Sequence, residues 1–353
     1  MCDGGLGRVG DLLEAAVRGG GVPGAVAVVG RGPVTLGSWV AGRADTTPAA
    51  ERPMTKATMF DIASLTKVVA TTTVALALAG NGSLSLDDAV VSYLPEAGAC
   101  WQSPVTIWQL LTHTSGLPDS RKFYQWCVSR EQLVRELCRT PLDAPPGTRV
   151  VYSDLGFIAL GEIVAAAAGE PLASAVRRLV TGPLGMEATC FNPPGPPDRF
   201  AATELRDDGT AWSGTVHDEN ARIMGGVAGH AGLFAAAADL ERFARWWVSD
   251  ADGPVPIPLR QLATSCQSAG LGGCRGLGWV CPGDRYDILD GHWPPTAVSH
   301  TGFTGTSLAL EPVTGIWAVL LTNAVHFGRD AAAVKALRCQ LHAAVASALL
   351  DTA

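Results

Sequence analysis

The chain has 353 residues, of which 47% are apolar and 17% are charged, a composition typical of a folded enzyme and not of a disordered protein. The formal net charge is −7, which argues against a general nucleic-acid binder. The longest apolar run, residues 68–79, is too short to cross a bilayer and contains three threonines. We therefore expect no nucleic-acid or membrane partner. Because residues 1–5 lack the basic and apolar regions of a signal peptide, we expect a cytoplasmic location.

Strand patterns occupy both ends of the chain. Residues 24–30 and 34–40 predict a hairpin whose strands are joined by Arg-Gly-Pro. Four more strands are predicted near the other end, at 277–281, 296–300, 306–310 and 316–322. Strands from the two ends can form one antiparallel sheet, because helices bracket both groups.

Helical patterns fill the middle of the chain and flank the strands. Helices are predicted at 8–18, 59–80, 105–112, 131–139, 155–168, 172–180, 238–248 and 329–350. The predicted fold class is α+β, an antiparallel sheet flanked by helices with an inserted all-helical lobe. We expect residues 1–60 and 220–353 to form the sheet lobe and residues 61–219 the mostly helical lobe, with the active site in the cleft between them.

The nine cysteines predict reduced thiols and no metal site. Their number is odd, and the sequence contains no Cys-x-x-Cys pair. The closest group, Cys266, Cys274 and Cys281, has spacings of eight and seven residues, which match no zinc pattern.

Ser64 and Lys67 lie near the start of the helix predicted at 59–80. A spacing of three residues puts both side chains on one helical face. A serine hydroxyl is a weak nucleophile until a neighbouring base takes its proton, and a lysine in an apolar helix needs a reason to be there. The alternative is a capping serine and a surface lysine, because Ser-x-x-Lys occurs often by chance.

Tyr152 lies just before the apolar helix predicted at 155–168. A tyrosine hydroxyl held near Lys67 would have its phenolate form favoured and could relay protons between nucleophile and leaving group. The alternative is a packing tyrosine followed by Ser153 or Asp154 as the cap of the next helix.

A third stretch, His300-Thr301-Gly302-Phe303, ends the strand predicted at 296–300. Glycine at this place would let a substrate approach the strand edge. The backbone N–H groups of Phe303 and Ser64 are candidate oxyanion donors. The alternative is an ordinary glycine hairpin with His300 as a surface residue.

The order and spacing of these three stretches resemble those of the serine β-lactamase and penicillin-binding protein superfamily. The similarity is to its class C-like branch of esterases, D-aminopeptidases and transacylases. Further segments that resemble this branch are 60–64, 110–117, 145–148, 184–186, 216–221 and 229–233. The resemblance extends from about residue 22 to about residue 323, most of the chain.

The resemblance implies the same α+β fold and no metal or organic cofactor. It implies that Ser64 is the nucleophile, Lys67 the general base and Tyr152 the proton relay. The implied mechanism is attack by Ser64 on a carbonyl, an acyl-enzyme, and transfer of the acyl group to water or another nucleophile. The strand motif of the superfamily, usually Lys-Thr-Gly, corresponds to His300-Thr301-Gly302.

Two residues depart from the superfamily pattern. Asp154 stands where such lactamases usually carry asparagine, and its charge should help keep Lys67 protonated unless burial opposes it. His300 replaces a lysine that helps to hold a substrate carboxylate, and a histidine is cationic only at lower pH. We expect weaker selection for a β-lactam or D-Ala-D-Ala carboxylate. The predicted substrate-binding residues are Asp154, His300, Thr301, Gly302 and Phe303.

The predicted function is serine-dependent acyl transfer through an acyl-enzyme on Ser64, with hydrolysis of an ester or amide of a small molecule as the default. One alternative is a transacylase that passes the acyl group to an amine or alcohol in a biosynthetic pathway. The other is a non-catalytic ligand sensor with this fold. The expected partners are a small-molecule acyl donor and, in the first alternative, an acceptor. The sequence assigns no role to His217 or Asp218 and predicts no oligomeric state.

Overall fold

The computed structural model describes residues 3–101 and 103–350. Its strands are β1 (Gly24–Arg31), β2 (Val34–Asp45), β3 (Arg52–Pro53), β4 (Met59–Asp61), β5 (Cys190–Phe191), β6 (Leu233–Ala236), β7 (Val298–Thr301), β8 (Ser307–Glu311) and β9 (Ile316–Thr322). Six of them form the main sheet in the order β3-β2-β1-β9-β8-β7, with every neighbouring pair antiparallel. Ala25 of β1 lies opposite Thr322 of β9, so the two ends of the chain meet in mid-sheet. The α+β prediction is confirmed.

Helices cover both faces of the main sheet. They are α1 (Asp3–Arg18), α2 (Thr73–Gly80), α3 (Ile107–Leu111), α4 (Arg130–Cys138), α5 (Asp154–Ala168), α6 (Leu172–Val176), α7 (Glu219–Ile223), α8 (Ala237–Trp247), α9 (Ile257–Ala263) and α10 (Ala332–Leu349). Within the described ranges, no single helix is long and apolar enough to span a membrane; α5 together with Leu172–Thr181, a pair bent by 74°, passes that test by length and composition only.

The two faces of β1 belong to two different apolar cores, as the period-two alternation of a strand requires. Ala25 and Val29 pack in a core with α1 and α10. Val26 and Val28 point the other way, into a larger core that includes α8 and the helical middle of the chain. The sheet is therefore buried on both sides, and a cleft can open only at its edge or its end.

The helix predicted at 59–80 begins later than expected. Met59–Asp61 is β4 and pairs with β6, placing Met59 opposite Ala236 and Asp61 opposite Phe234. A short apolar run fits a strand as well as a helix, and the choice depends on a pairing partner far along the chain. After a turn, the helix runs from residue 65; Lys67–Thr72 is π-helical and continues as α2.

The strand predicted at 277–281 is absent from the described sheet; only Val280 forms isolated bridges, with Arg275 and Ser299. Gly278 has a left-handed backbone with φ of 79°. Its N–H donates to Leu111 O (2.8 Å), which draws this segment away from a ladder and towards α3. The prediction failed because a run of apolar residues does not reveal where its backbone hydrogen bonds go.

The structure pairs Cys266 with Cys274 in a disulfide whose Cα atoms are 5.5 Å apart. The expectation that every cysteine is a free thiol is therefore wrong for this pair. The described free cysteines are Cys100, Cys127, Cys138, Cys190, Cys281 and Cys339. Cys2 lies outside the described residues.

Candidate active site

Ser64 follows a constrained turn at the end of β4. Ala63 has a left-handed backbone with φ of 47°, a conformation that costs a residue with a Cβ about 1 kcal/mol. The buried Asp61 carboxylate stabilises the turn by accepting the N–H groups of Ala63 (2.9 Å) and His217 (2.7 Å). Burial raises the pKa of Asp61, although these hydrogen bonds oppose the rise. The turn places Ser64, half-buried, at the beginning of the helix.

Lys67 lies one helical turn after Ser64, and its side chain is 0% exposed. Its Nζ donates to Ser64 Oγ (3.0 Å), Asp154 Oδ1 (2.7 Å) and His230 O (3.2 Å), so all three ammonium donors have acceptors. Burial by itself lowers the pKa of Lys67, but Asp154 and Tyr152 together outweigh it, and the pKa is raised above its ordinary value. The resting site therefore holds an ammonium against the serine hydroxyl.

Tyr152 lies beside Lys67, immediately before the N-cap of α5. Ser153 is the N-cap, and its Oγ accepts the Gly156 N–H (3.1 Å). Of the two predicted caps, Ser153 is the one that caps α5. Tyr152 precedes it and Asp154 follows it. Lys67 Nζ lies 4.9 Å from the centroid of the Tyr152 ring.

His113 supports the Tyr152 loop from inside the protein. Its Nδ1 accepts the Ser153 N–H (3.0 Å), and its ring centroid lies 4.7 Å from that of Tyr152. Burial, together with the charges of Arg275 and Lys67, holds the pKa of His113 well below its usual range. His113 is thus a neutral, hydrogen-bonded core residue.

His300 is buried and neutral at the end of β7. Its Nδ1–H donates to Thr301 O (2.9 Å), which leaves the lone pair on Nε2. Burial, followed by the charges of Lys67 and Arg275, holds its pKa well below the usual range. The ring lies 6.0 Å from that of Tyr152. The position that carries a lysine in the superfamily motif therefore supplies no cation.

The end of β7 is attached to the serine turn. Thr304 Oγ1 donates to Asp61 O (2.7 Å), and Thr306 Oγ1 donates to Ile62 O (3.1 Å). A Cβ at Gly302 would collide with the Ile62 carbonyl oxygen. Packing against the serine turn therefore accounts for glycine at this position, and its role in admitting a substrate stays a prediction.

Two more residues of this stretch lie towards the surface. Phe303 is 52% exposed, and its ring stacks on His217 with centroids 5.6 Å apart. Thr301 is half-buried and pairs with Ser307 of β8. The stretch 300–303 thus passes from a buried imidazole to an exposed aromatic ring within four residues.

Sequence reasoning missed the residues that surround this centre from other loops. His230, whose carbonyl accepts from Lys67, holds Asp218 Oδ1 through Nε2 (2.9 Å). Burial would raise the pKa of Asp218, but the charge and hydrogen bond of His230 lower it below its usual range. The glycine-rich segment around His230 was the available signal. Arg275 had none, because it comes from a loop without any motif.

The comparisons with known proteins agree with this geometry. Residues 9–342 match the family described as Beta-lactamase. A putative D-alanyl-D-alanine carboxypeptidase of Escherichia coli (strain K12) is 31% identical over 318 residues, which cover 78% of this chain and 72% of that protein.

Two solved structures show the same fold. One is "EstCE1, a hydrolase with promiscuous acyltransferase activity", with a TM-score of 0.76 and 22% identity over 94% of this chain and 98% of that one. The other is unliganded simvastatin synthase (LovD) from Aspergillus terreus, with a TM-score of 0.77 and 18% identity over 98% of both chains. The resemblance found in the sequence is confirmed: this chain belongs to the β-lactamase family of serine hydrolases and acyl-transfer enzymes.

Proposed function

We propose that this enzyme hydrolyses an ester or amide of a small molecule through a covalent acyl-enzyme on Ser64. The observation that carries the proposal is the fully buried Lys67 ammonium, 3.0 Å from Ser64 Oγ. A lysine with a purely structural role keeps its ammonium in water or pairs it only with a carboxylate. Here one donor is directed at a hydroxyl that precedes it by one helical turn.

The proton of Ser64 needs a path, because the resting Lys67 is already protonated. We propose that Lys67 accepts the proton of Ser64 as it releases one of its own to the Asp154 carboxylate, 2.7 Å away. Tyr152, beside the same ammonium, donates its hydroxyl proton to the leaving group and recovers one from Lys67, which takes its own proton back from Asp154. The net transfer moves one proton from Ser64 to the leaving group.

The proposed oxyanion donors are the backbone N–H groups of Ser64 and Phe303. Among the hydrogen bonds of the described residues, neither N–H has an acceptor. The hydrogen bonds of Thr304 and Thr306 to the serine turn support the pairing, because they hold the end of β7 against the residues that precede Ser64.

We infer that the acyl donor is neutral next to the reacting carbonyl. Lys67 is paired with Asp154, Arg275 with Asp284, and His300 carries no charge. A substrate carboxylate would therefore meet no unpaired cation among these groups. Peptides that end in a carboxylate, the substrates named for the E. coli relative, fit this centre less well than neutral esters or amides.

A transacylase is the second candidate. It is favoured by the likeness to a hydrolase described as having promiscuous acyltransferase activity, which covers 94% of this chain. The two candidates differ in whether an added amine or alcohol competes with water for the acyl-enzyme. Free acid as the sole product at every acceptor concentration would exclude the transacylase.

The test is intact-mass spectrometry after treatment with a fluorophosphonate or a p-nitrophenyl ester. We expect one adduct on the wild-type protein, none on Ser64→Ala, and an unchanged adduct on Ser120→Ala, which removes an exposed serine. An adduct that persists in Ser64→Ala would overturn the assignment of the nucleophile. No adduct on the wild type would favour a ligand sensor.

A further inference from the structure

We propose that Arg275, held by Asp284, is a positioning residue for Tyr152. Its guanidinium fixes the phenol ring so that the hydroxyl reaches the leaving group. This inference rests on the proposed function, because it assigns to Arg275 a part in the proton transfer made by Tyr152.

Arg275 and Asp284 form a bidentate ion pair in which both side chains are 1% exposed. Arg275 Nε donates to Asp284 Oδ2 (3.0 Å), and Nη2 donates to Oδ1 (2.8 Å). The carboxylate is fixed in turn, because it accepts the N–H groups of Cys274 (3.1 Å) and Tyr286 (2.9 Å). Two parallel hydrogen bonds define the plane of a guanidinium, which a lysine cannot reproduce.

The fixed guanidinium packs against two tyrosines. Its central carbon lies 5.4 Å from the ring centroid of Tyr152 and 5.1 Å from that of Tyr286, and the two rings are 5.2 Å apart. Lys67 Nζ lies 4.9 Å from the same Tyr152 ring. Two cations therefore lie close to the Tyr152 ring, one of which belongs to the reacting group and the other to a separate loop.

Hydrogen bonds and a disulfide fix the loop that carries Arg275. Its N–H donates to Ser268 Oγ (2.9 Å), its carbonyl accepts the Gln267 N–H (2.7 Å), and the Cys266–Cys274 disulfide closes the same loop. A rigid loop is needed if a distant arginine is to set the orientation of a half-buried ring.

The proposed step makes a specific demand on the leaving group. As the bond between the carbonyl carbon and the leaving oxygen breaks, the Tyr152 hydroxyl proton moves to that oxygen, and Lys67 returns a proton to the phenolate. An alcohol or phenol of high pKa leaves only with such help, whereas p-nitrophenolate leaves without it. A misplaced Tyr152 therefore harms poor leaving groups more than good ones.

The experiment compares kcat/KM for phenyl acetate and p-nitrophenyl acetate in the wild type, Tyr152→Phe, Arg275→Met and Arg275→Lys. We expect both Arg275 variants to lose about tenfold more on phenyl acetate than on p-nitrophenyl acetate, as Tyr152→Phe does. The matched control is Arg260→Lys, which alters another buried arginine that lies over an aromatic ring, 5.1 Å from Trp246. It should affect both esters equally.

Tyr286→Leu covers the case in which the Arg275 variants do not fold, because this ring is 40% exposed and its loss should be tolerated. We expect about a threefold selective loss on phenyl acetate. Equal losses on both esters, in the Arg275 variants or in Tyr286→Leu, would overturn the proposal. So would a Tyr152→Phe variant without leaving-group dependence. Failure of the proposed function is seen separately, as p-nitrophenyl acetate turnover that survives in Ser64→Ala.

Discussion

Two buried cations in this protein have opposite surroundings. Lys67 donates to a hydroxyl, a carboxylate and a carbonyl, and Asp154 and Tyr152 together raise its pKa in spite of burial. Arg260, which is 4% exposed, donates to the carbonyls of Trp246 (2.7 Å) and Ser249 (2.8 Å) at the end of α8. Burial lowers the pKa of Arg260.

The difference separates a cation arranged for chemistry from one that closes a helix end. Carbonyls at the C-terminus of a helix are the usual partners of a buried arginine, and they account for the Nη1 and Nη2 donors of Arg260. At Lys67, by contrast, one of the three acceptors is itself reactive. The acceptors of a buried charge, more than its burial, therefore indicate whether it takes part in a reaction.

The largest expected effect is the loss of acylation in Lys67→Ala. We expect the rate of Ser64 acylation by a p-nitrophenyl ester to fall by about a thousandfold or more, because the proton of the hydroxyl then has no acceptor in place. Stopped-flow measurement of the acylation phase checks this, with circular dichroism to show that the variant folds. Near-normal acylation would remove Lys67 from the mechanism.

Arg260→Ala should give the opposite result. We expect it to lower the free energy of unfolding by about 3 kcal/mol, because several buried carbonyls lose a charged donor. The acylation rate of the folded fraction should stay within about twofold of the wild type. A large loss of acylation rate without a loss of stability would contradict the distinction between the two cations.

The next prediction concerns Asp154→Asn. At pH 7 we expect the free energy of unfolding to fall by about 2–4 kcal/mol, since the Lys67 ammonium stays buried without its charged partner. The pKa of Lys67 is raised above 10.5 in the folded protein, so the stabilisation is complete below pH 10.5 and is lost as pH rises through the folded pKa. Urea unfolding from pH 7 to 11 should show the Lys67 contribution to wild-type stability unchanged up to pH 10.5. The stability of the variant should rise with pH, because burial lowers the Lys67 pKa once the carboxylate is gone, so the difference between the two proteins narrows across this range.

Glu162→Gln is the matched control for this change. Glu162 lies on the same helix α5 and pairs with Arg130, with both side chains partly exposed at 19% and 30%. Its loss should cost about 1 kcal/mol or less and should leave acylation unchanged. If the free energies of unfolding of wild type and Asp154→Asn differ by a constant amount up to pH 11, the Asp154 carboxylate does not raise the pKa of Lys67.

The smallest expected effect tests a buried base that has no anionic partner. Burial and the charge of Arg338 lower the pKa of His342 to about 3. Because the unfolded chain binds this proton near pH 6.5 and the folded chain does not, stability is lost as pH falls below 6.5. His342→Gln should remove about 2 kcal/mol of the loss between pH 6.5 and pH 5.

Chemical denaturation at several pH values measures this slope, and His292→Gln, which alters an exposed histidine, should leave it unchanged. An identical pH dependence in wild type and His342→Gln would show that the imidazole is protonated in the folded state. His342 would then be a buried cation without an anionic partner, and the acceptors around a buried group would not decide whether it is charged.

Much of the fold could be predicted because local patterns determine it. The hairpin of β1 and β2, the strands β7 to β9 and the long helices follow from alternation, helical periodicity and glycine or proline boundaries. The predictions are wrong where contacts with distant segments determine the secondary structure. Met59–Asp61 became a strand because β6 offered a partner, and residues 277–281 left the sheet because Leu111 O accepted a hydrogen bond there.

The sequence by itself determined that Ser64 and Lys67 share a helical face, because a spacing of three residues has that consequence in any helix. Only the tertiary structure decided which acceptors meet the Lys67 ammonium, and that Arg275 lies over Tyr152. Protonation in a buried site depends on charges brought together from separate segments, where water cannot screen them. No spacing along the chain encodes such a meeting, so the charge state of this centre follows from the fold.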